Sequence, residues 1–254
     1  MRTARFMVDG RLHVGRVVED QLIDEEGRAH RQDAVTWLPP VTPTKVLGLV
    51  LNYAEHAKEL GLETPQEPVL FFKPLTSLIG HHAPIVYPTG VTQLHYEVEL
   101  GIVIGRRCRR VRAADAASVI RGYTVGNDVT ARDFITNYFR PPVKAKGWDT
   151  FGPLGPWVVE GEDVDPDNLD LRAYVNGELR QQGNTSKLIH KVAPIIEYIS
   201  EFMTLEPDDV ILTGTPEGIS FVKPGDTLKV EVVGIGAIEN PIVPADAPDA
   251  GAPR

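Results

Sequence analysis

The chain has 254 residues, 42% of them hydrophobic and 24% charged, with 35 acidic against 26 basic side chains and a net charge of −9. Such a length can bury a sizeable core, and the acidic balance argues against a nucleic-acid partner. The single Cys108 excludes an intramolecular disulfide, no run of about 18 apolar residues marks a membrane span, and "MRTARFMVDGRLHVGRV" lacks the apolar segment of a signal peptide, so a cytoplasmic protein without membrane contact is expected.

Residues 1–42 read as a small β-rich subdomain of short strands, with Asp9-Gly10 as a hairpin signal. The Pro-rich "LPPVTPTK" at 38–45 marks its end, and a main domain is expected over 43–243. Within it "KVLGLVLNY" reads as a buried strand and "AEHAKELG" as a short helix closed by Gly61. "ETPQEP" reads as loop and "VLFFKP" as another strand. Further strands are predicted over 96–105, 121–128, 156–160, 169–176, 209–213 and 227–233. Helices are predicted over 112–120 and 186–204. The second has apolar residues at 188, 189, 192, 195, 196, 199 and 202, a 3.6-residue period, and its Pro194 either kinks it or marks a new first turn. The strands do not alternate with helices, so an α+β architecture is expected rather than a Rossmann-type sheet. The tail 244–254, "PADAPDAGAPR", has too little apolar content to pack and is expected to be disordered.

The stretch "LHYEVELGIVIG" at 94–105 places two acids inside a strand. Side chains alternate, so Glu97 and Glu99 share one face with His95, Gly101 and Val103, while Val98, Leu100, Ile102 and Ile104 form an apolar face. Two readings stay open: a solvated face, or an enclosed pair whose repulsion a hard divalent cation would relieve. A cation needs a third ligand, and "GYTVGNDVTARDF" offers Asp128, although Asp after Gly-Asn is also a turn signal. His56 and Glu59 are three apart on the predicted helix, so the acid could orient the imidazole for proton transfer, or the two could form a casual surface ion pair. Lys146 lies in a Pro/Gly-rich loop and Thr215 in a tight turn. Arg132 could hold a carboxylate or pair with Asp133 or Asp128, and Lys73 ends an apolar strand. The five arginines between 106 and 112 read as a solvated turn, and His81-His82 lacks partners at metal-ligand spacing.

Four separated motifs, "LHYEVELGIVIG", "GNDVTARD", "AKGWDTFGPLGPW" and "LTGTPEGI", together with "NYAEHAKE", resemble the fumarylacetoacetate hydrolase family from about Lys45 to Val243. "FFKPLTSLIGHHAPIVYP" and "FMTLEPDDVILTGTPEGIS" bring the likeness nearest to its decarboxylase/isomerases of homoprotocatechuate degradation. The resemblance implies a mixed β-sandwich roll with few helices around an acid-lined site. It implies Glu97, Glu99 and Asp128 as ligands of Mg²⁺ or Mn²⁺, with His56, Glu59 and Lys146 as catalytic groups and Arg132, Thr215 and Lys73 on the substrate. The implied activity is decarboxylation/isomerisation of a 2-oxo (2-hydroxydienoic) di- or tricarboxylic acid through a metal-stabilised enolate. Alternatives on the same residues are an acylpyruvate-type C–C hydrolase or an oxaloacetate decarboxylase. A third reading, of another class, is a non-catalytic metal- or ligand-binding protein. A homodimer or larger homo-oligomer is implied as well. The sequence departs from the family pattern at Ile135, where Gln is common, and at Trp148, where Phe is common.

Overall fold

A computed structural model describes residues 1–135, 141–161 and 164–247. Among these the chain is mostly strand, with three α-helices, Ala54–Glu59, Val143–Lys146 and Val192–Phe202, in a mixed α+β fold. The largest sheet has twelve strands. Its path runs Ala29–Arg31, Gln21–Ile23, Arg11–Val18, Arg2–Val8, Gly152–Glu160, Ile120–Asn127, Val98–Ile104, Val210–Leu212, Val46–Val50, Val69–Lys73. A five-stranded sheet follows the order Glu178–Asn184, Asp170–Val175, Thr227–Val232, Gly236–Pro244, Ile85–Tyr87. A three-stranded sheet sets Leu94–His95 between Thr130–Ala131 and Phe221–Val222.

The two larger sheets share one core. Val98, Leu100 and Ile102 of one meet Leu171, Ala173, Val230 and Ile238 of the other, and the helix Val192–Phe202 adds Ile195, Ile196 and Ile199. Each of these large aliphatic side chains contributes about 1.5–3 kcal/mol by leaving water. The opposite face of the Val98–Ile104 strand is covered too: Val103 packs with Val46, Leu154, Val158 and Val210. All seven residues of that strand, Glu99 among them, are buried, and so is Glu97 just before it, so the solvated-face reading of the two acids does not hold.

Local chemistry explains most boundaries. Asp9 (φ 49°) and Gly10 (φ 74°) make the two-residue turn joining Arg2–Val8 to Arg11–Val18, as Asp-Gly favours. The helix Ala54–Glu59 ends at Gly61 (φ 66°), where the Leu62 N–H donates to the Ala57 carbonyl at 2.9 Å. Pro194 sits in the first turn of Val192–Phe202, where its missing N–H costs nothing, so the helix starts there rather than at 186; Thr185–Lys187 is a separate 3₁₀ turn. The 112–120 segment is also 3₁₀, Ala113–Val119. The expected 96–105 strand begins later, at Val98, because the chain changes sheet at Tyr96–Glu97. Arg2–Val8 joins the large sheet through Arg2 opposite Val159 and Thr3 opposite Val158, while Ala4, Phe6, Leu22 and Trp37 form their own small cluster. Of the predicted tail, residues 248–254 lie outside the described residues.

Candidate active site

The change of sheet at Glu97 builds the site. Register places Glu99 opposite Gly126 and Val98 opposite Asn127. Just outside the ladder the Glu97 N–H donates to Asn127 Oδ1 at 3.1 Å, and the Asp128 N–H donates to the Glu97 carbonyl at 2.9 Å. One carboxylate oxygen from each of Glu97, Glu99 and Asp128 then lies within 4.8 Å of the others, and all three residues are buried. Glycine opposite Glu99 leaves room for the Leu212 side chain, since a Cβ on Gly126 would stand 2.4 Å from Leu212 Cδ2.

Two buried lysines face this triad. Lys146 Nζ donates to Glu97 Oε2 at 2.8 Å, to Thr130 Oγ1 at 2.9 Å and to Asp128 Oδ2. Lys73 Nζ donates to Asp128 Oδ1 at 2.5 Å and to the Lys146 carbonyl at 2.7 Å. Burial would lower the Lys146 ammonium, but Asp128 and Glu97 outweigh it and hold it above its ordinary value. Burial does lower Lys73, against the pull of Asp128. For Glu97, burial acts upward, yet Lys146, His95 and Arg132 outweigh it and keep the carboxyl below the usual range. Glu99 is the exception. Burial pushes it well above the usual range, and the charges of Asp128 and Glu97 push the same way. Its described hydrogen bond is the Gly214 N–H, donated to Oε2 at 2.6 Å. A buried all-oxygen donor set with one frustrated carboxylate fits a hard divalent cation, which would supply the missing positive charge.

A cavity of about 660 Å³ reaches the triad at Glu97 and is lined also by His56, Arg132, Lys146 and Thr215, with apolar walls from Leu60, Leu62, Phe71 and Val143; Glu99 and Asp128 are not among its lining residues. Ile135 is also on its wall, so the position where the family commonly has Gln presents an alkyl group here. His56 is buried, and its Nδ1 lies 2.9 Å from Glu59 Oε2. Glu59 Oε1 accepts the Gly218 N–H at 3.0 Å, which ties the short helix to the 213–218 turn. Thr215 Oγ1 accepts from Gln181 Nε2 at 2.9 Å. The structure thus brings His56, Glu97, Arg132, Lys146 and Thr215 to one cavity. Lys73 lies behind Asp128 and is not among the lining residues. Asp133, weighed as a partner of Arg132, instead accepts from the backbone of Thr92 and Gln93.

Sequence reasoning missed three contributors. Asn52 donates through Nδ2 to the Thr213 and His190 carbonyls (2.8 and 3.0 Å) and accepts the His190 N–H at 2.8 Å, fixing the loop before the His56 helix. Gln181 bridges the Val98 N–H and the Thr215–Pro216 turn. His95 is wholly buried beside Glu97, with its pKa lowered to about 3 by burial against the pull of Glu97. Only His95 carried a signal, its place on the acidic face; the other two act through tertiary contacts.

The family model that matches, fumarylacetoacetate (FAA) hydrolase C-terminal, covers residues 45–243. The chain is 46% identical over 228 residues to a 4-hydroxyphenylacetate degradation bifunctional isomerase/decarboxylase of Salmonella dublin, covering 89% of this chain and 52% of that protein. It therefore spans about half the length of that relative. Among solved structures, 5-carboxymethyl-2-hydroxymuconate delta-isomerase from Mycobacterium smegmatis superposes with a TM-score of 0.87 at 43% identity, covering 96% of this chain and 99% of that one. Maleylpyruvate hydrolase from Sphingobium sp. SYK-6, in complex with manganese (II) ion and pyruvate, superposes with a TM-score of 0.82 at 29% identity, covering 96% and 99%.

Proposed function

The chain belongs to the fumarylacetoacetate hydrolase family, and on that footing we propose that it is a divalent-metal-dependent decarboxylase/isomerase. Its substrate in this proposal is a 2-oxo (2-hydroxydienoic) di- or tricarboxylic acid of aromatic, homoprotocatechuate-type catabolism. The observation that carries the reading is the buried Glu97–Glu99–Asp128 triad, whose Glu97 lines a cavity that also receives His56 and Lys146. The names of the Salmonella dublin and Mycobacterium smegmatis proteins support the reaction class.

Glu97, Glu99 and Asp128 would hold Mg²⁺ or Mn²⁺, which supplies a Lewis acid for the oxo-acid end of the substrate. The remaining work falls to the chain's own groups. Lys146, held charged between two carboxylates, stabilises negative charge that develops on the substrate oxygen. Arg132 and Thr215, on the cavity wall, bind substrate carboxylate. Lys73, set against Asp128, acts on the substrate only through that carboxylate. Glu59 accepts the His56 Nδ1 proton, which leaves Nε2 to take or return the proton that isomerisation moves. Residues 1–42 stand outside this chemistry as a β-rich subdomain, and the working unit in this proposal is a cytoplasmic homodimer.

A second reading is C–C bond hydrolysis, favoured by the likeness to maleylpyruvate hydrolase; there His56 would activate water. The test is one assay of the protein with Mg²⁺ or Mn²⁺ on three substrates: 5-oxopent-3-ene-1,2,5-tricarboxylate, an acylpyruvate and oxaloacetate. Release of CO₂ from the tricarboxylate is the expected result. Cleavage of the acylpyruvate alone would move the assignment to the hydrolase, and turnover of none, with no Mn²⁺ bound, would sink both. His56→Gln should slow the proton-transfer step by about 10²–10⁴-fold while Mn²⁺ still binds, read by following isomerised product and metal titration side by side.

A further inference from the structure

His95 occupies the middle strand of the three-stranded sheet, opposite Thr130 on one side and Phe221 on the other, and is 1% exposed. A buried histidine at such a position is ordinarily a packing residue, but its contacts here are polar and specific. The Arg132 Nε–H donates to His95 Nε2 at 3.1 Å. A guanidinium N–H can only donate, so Nε2 must carry a lone pair and the ring proton must sit on Nδ1. That proton faces the Tyr96 carbonyl at 3.3 Å and Glu97 Oε1 at 3.6 Å. The imidazole therefore stands between the cavity arginine and a carboxylate of the triad.

The rest of Arg132 is held loosely. Its backbone N–H donates to the Gln93 carbonyl at 2.7 Å, but Nη2 is 3.9 Å from Glu97 Oε1, buried, and without a hydrogen-bond partner among the described residues. An unpaired buried donor of this kind is costly unless something meets it. Arg132 lines the cavity, and with Nε held by His95 the plane of its guanidinium is fixed there, with Nη2 on the Glu97 side. Arginine is effective for carboxylates because its donors form a fixed fork, and the fork is useful only if its plane is fixed.

We propose that His95 is a positioning residue that locks the Arg132 guanidinium plane for the carboxylate end of the substrate, by accepting its Nε–H on Nε2. This rests on the reading of Arg132 as a substrate-binding residue. The sequence prefigured only the shared face of His95 and Glu97, and no role followed from that.

Two buried-amide variants separate positioning from packing. In His95→Gln the carbonyl reaches the place of Nε2; in His95→Asn it falls short. The probe is oxalate, titrated into the Mn²⁺-loaded protein, with Mn²⁺ affinity and thermal midpoint measured alongside. His95→Asn should weaken oxalate about 10-fold and leave Mn²⁺ affinity within about 3-fold, while His95→Gln should restore oxalate to within about 3-fold of the original. In an Arg132→Ala background the Asn and Gln variants should bind oxalate equally, since a coupled pair is non-additive. Equal oxalate binding by the Asn and Gln variants with Arg132 present would overturn the proposal, as would the same Asn-to-Gln gap with Arg132 absent. Failure of Arg132→Ala itself to weaken oxalate would instead remove the reading of Arg132 on which this rests. If either His95 variant does not fold, the other, compared with the original protein across the Arg132→Ala cycle, gives the same coupling.

Discussion

Asp209 shows how much a single buried side chain can organise away from the cavity. Its Oδ1 accepts the Thr44 N–H (3.1 Å), the Thr44 hydroxyl (2.7 Å) and the Lys45 N–H (3.1 Å); Oδ2 accepts the Glu206 N–H at 2.7 Å and the Lys45 ammonium. This joins the entry of Val46–Val50 to that of its parallel partner Val210–Leu212. Burial would raise the carboxyl, but the Lys45 ammonium, the Glu206 N–H and the Thr44 hydroxyl outweigh it and hold it below the ordinary value. A depressed folded value means the unfolded chain takes up protons first as pH falls. The stabilisation is complete above about pH 4, the unfolded aspartate value, and is lost as pH drops through the lower folded value. Asp209→Asn turns two of these contacts from acceptor to donor and should cost about 2–3 kcal/mol at pH 7. Denaturant titrations between pH 2 and 7 should show both the lower stability and a flatter acid limb. In the sequence Asp209 only opened the predicted 209–213 strand, because the Thr44 and Lys45 donors that define its role lie about 165 positions away.

Among the elements, glycine decides where strands can meet. Gly122 lies on Ile120–Asn127 opposite Glu160 of Gly152–Glu160, and a Cβ there would stand 2.1 Å from the Val159 carbonyl oxygen. Backbone cannot retreat as a side-chain tip can, so Gly122→Ala should break this pairing. Loss of the cooperative unfolding transition, or of soluble protein, is expected; an unchanged transition would mean the two strands are farther apart than described. Gly10→Ala is the contrasting case, with open space around its Cβ and only the left-handed φ of 74° to oppose it. It should cost about 1 kcal/mol. Elements with strong local signals were legible: the Asp9-Gly10 hairpin, the Gly61 helix stop and the periodic helix at 192–202. The missed strands lack such signals. Glu178–Asn184 is a polar sheet-edge strand without apolar alternation, and Gly236–Pro244 is interrupted by Pro241. Of the acidic triad, spacing showed only that Glu97 and Glu99 share a face; the joining of Asp128 to them came from the resemblance, and the contacts of the two lysines needed the fold.

Across the whole molecule, the buried Glu97–Glu99–Asp128 cluster carries a charge conflict that a bound divalent ion should release as stability. The raised value of Glu99 means the folded state holds a proton that the unfolded state gives up above about pH 4. The sign is therefore opposite to that of Asp209: metal-free protein loses stability as pH rises through this window toward the raised folded value. Glu99→Gln removes that charge while keeping the shape, so metal-free Glu99→Gln should be at least as stable as the original protein at pH 7, with a flatter pH dependence. Added Mn²⁺ reverses the ranking. Residues 97, 99 and 128 converge only in the folded chain, so an ion held by them would bind that state alone and stabilise it by mass action, about 2.7 kcal/mol at a hundredfold excess over Kd. For a chain of this length that is a rise of roughly 5–10 °C in melting temperature, abolished by a chelator and absent in Glu99→Gln. Thermal melts of the two proteins with and without Mn²⁺ therefore give two crossed lines. A variant less stable than the original without metal would mean that Glu99 is stabilised by its surroundings. A variant that gained as much from Mn²⁺ would remove Glu99 from the ligand set.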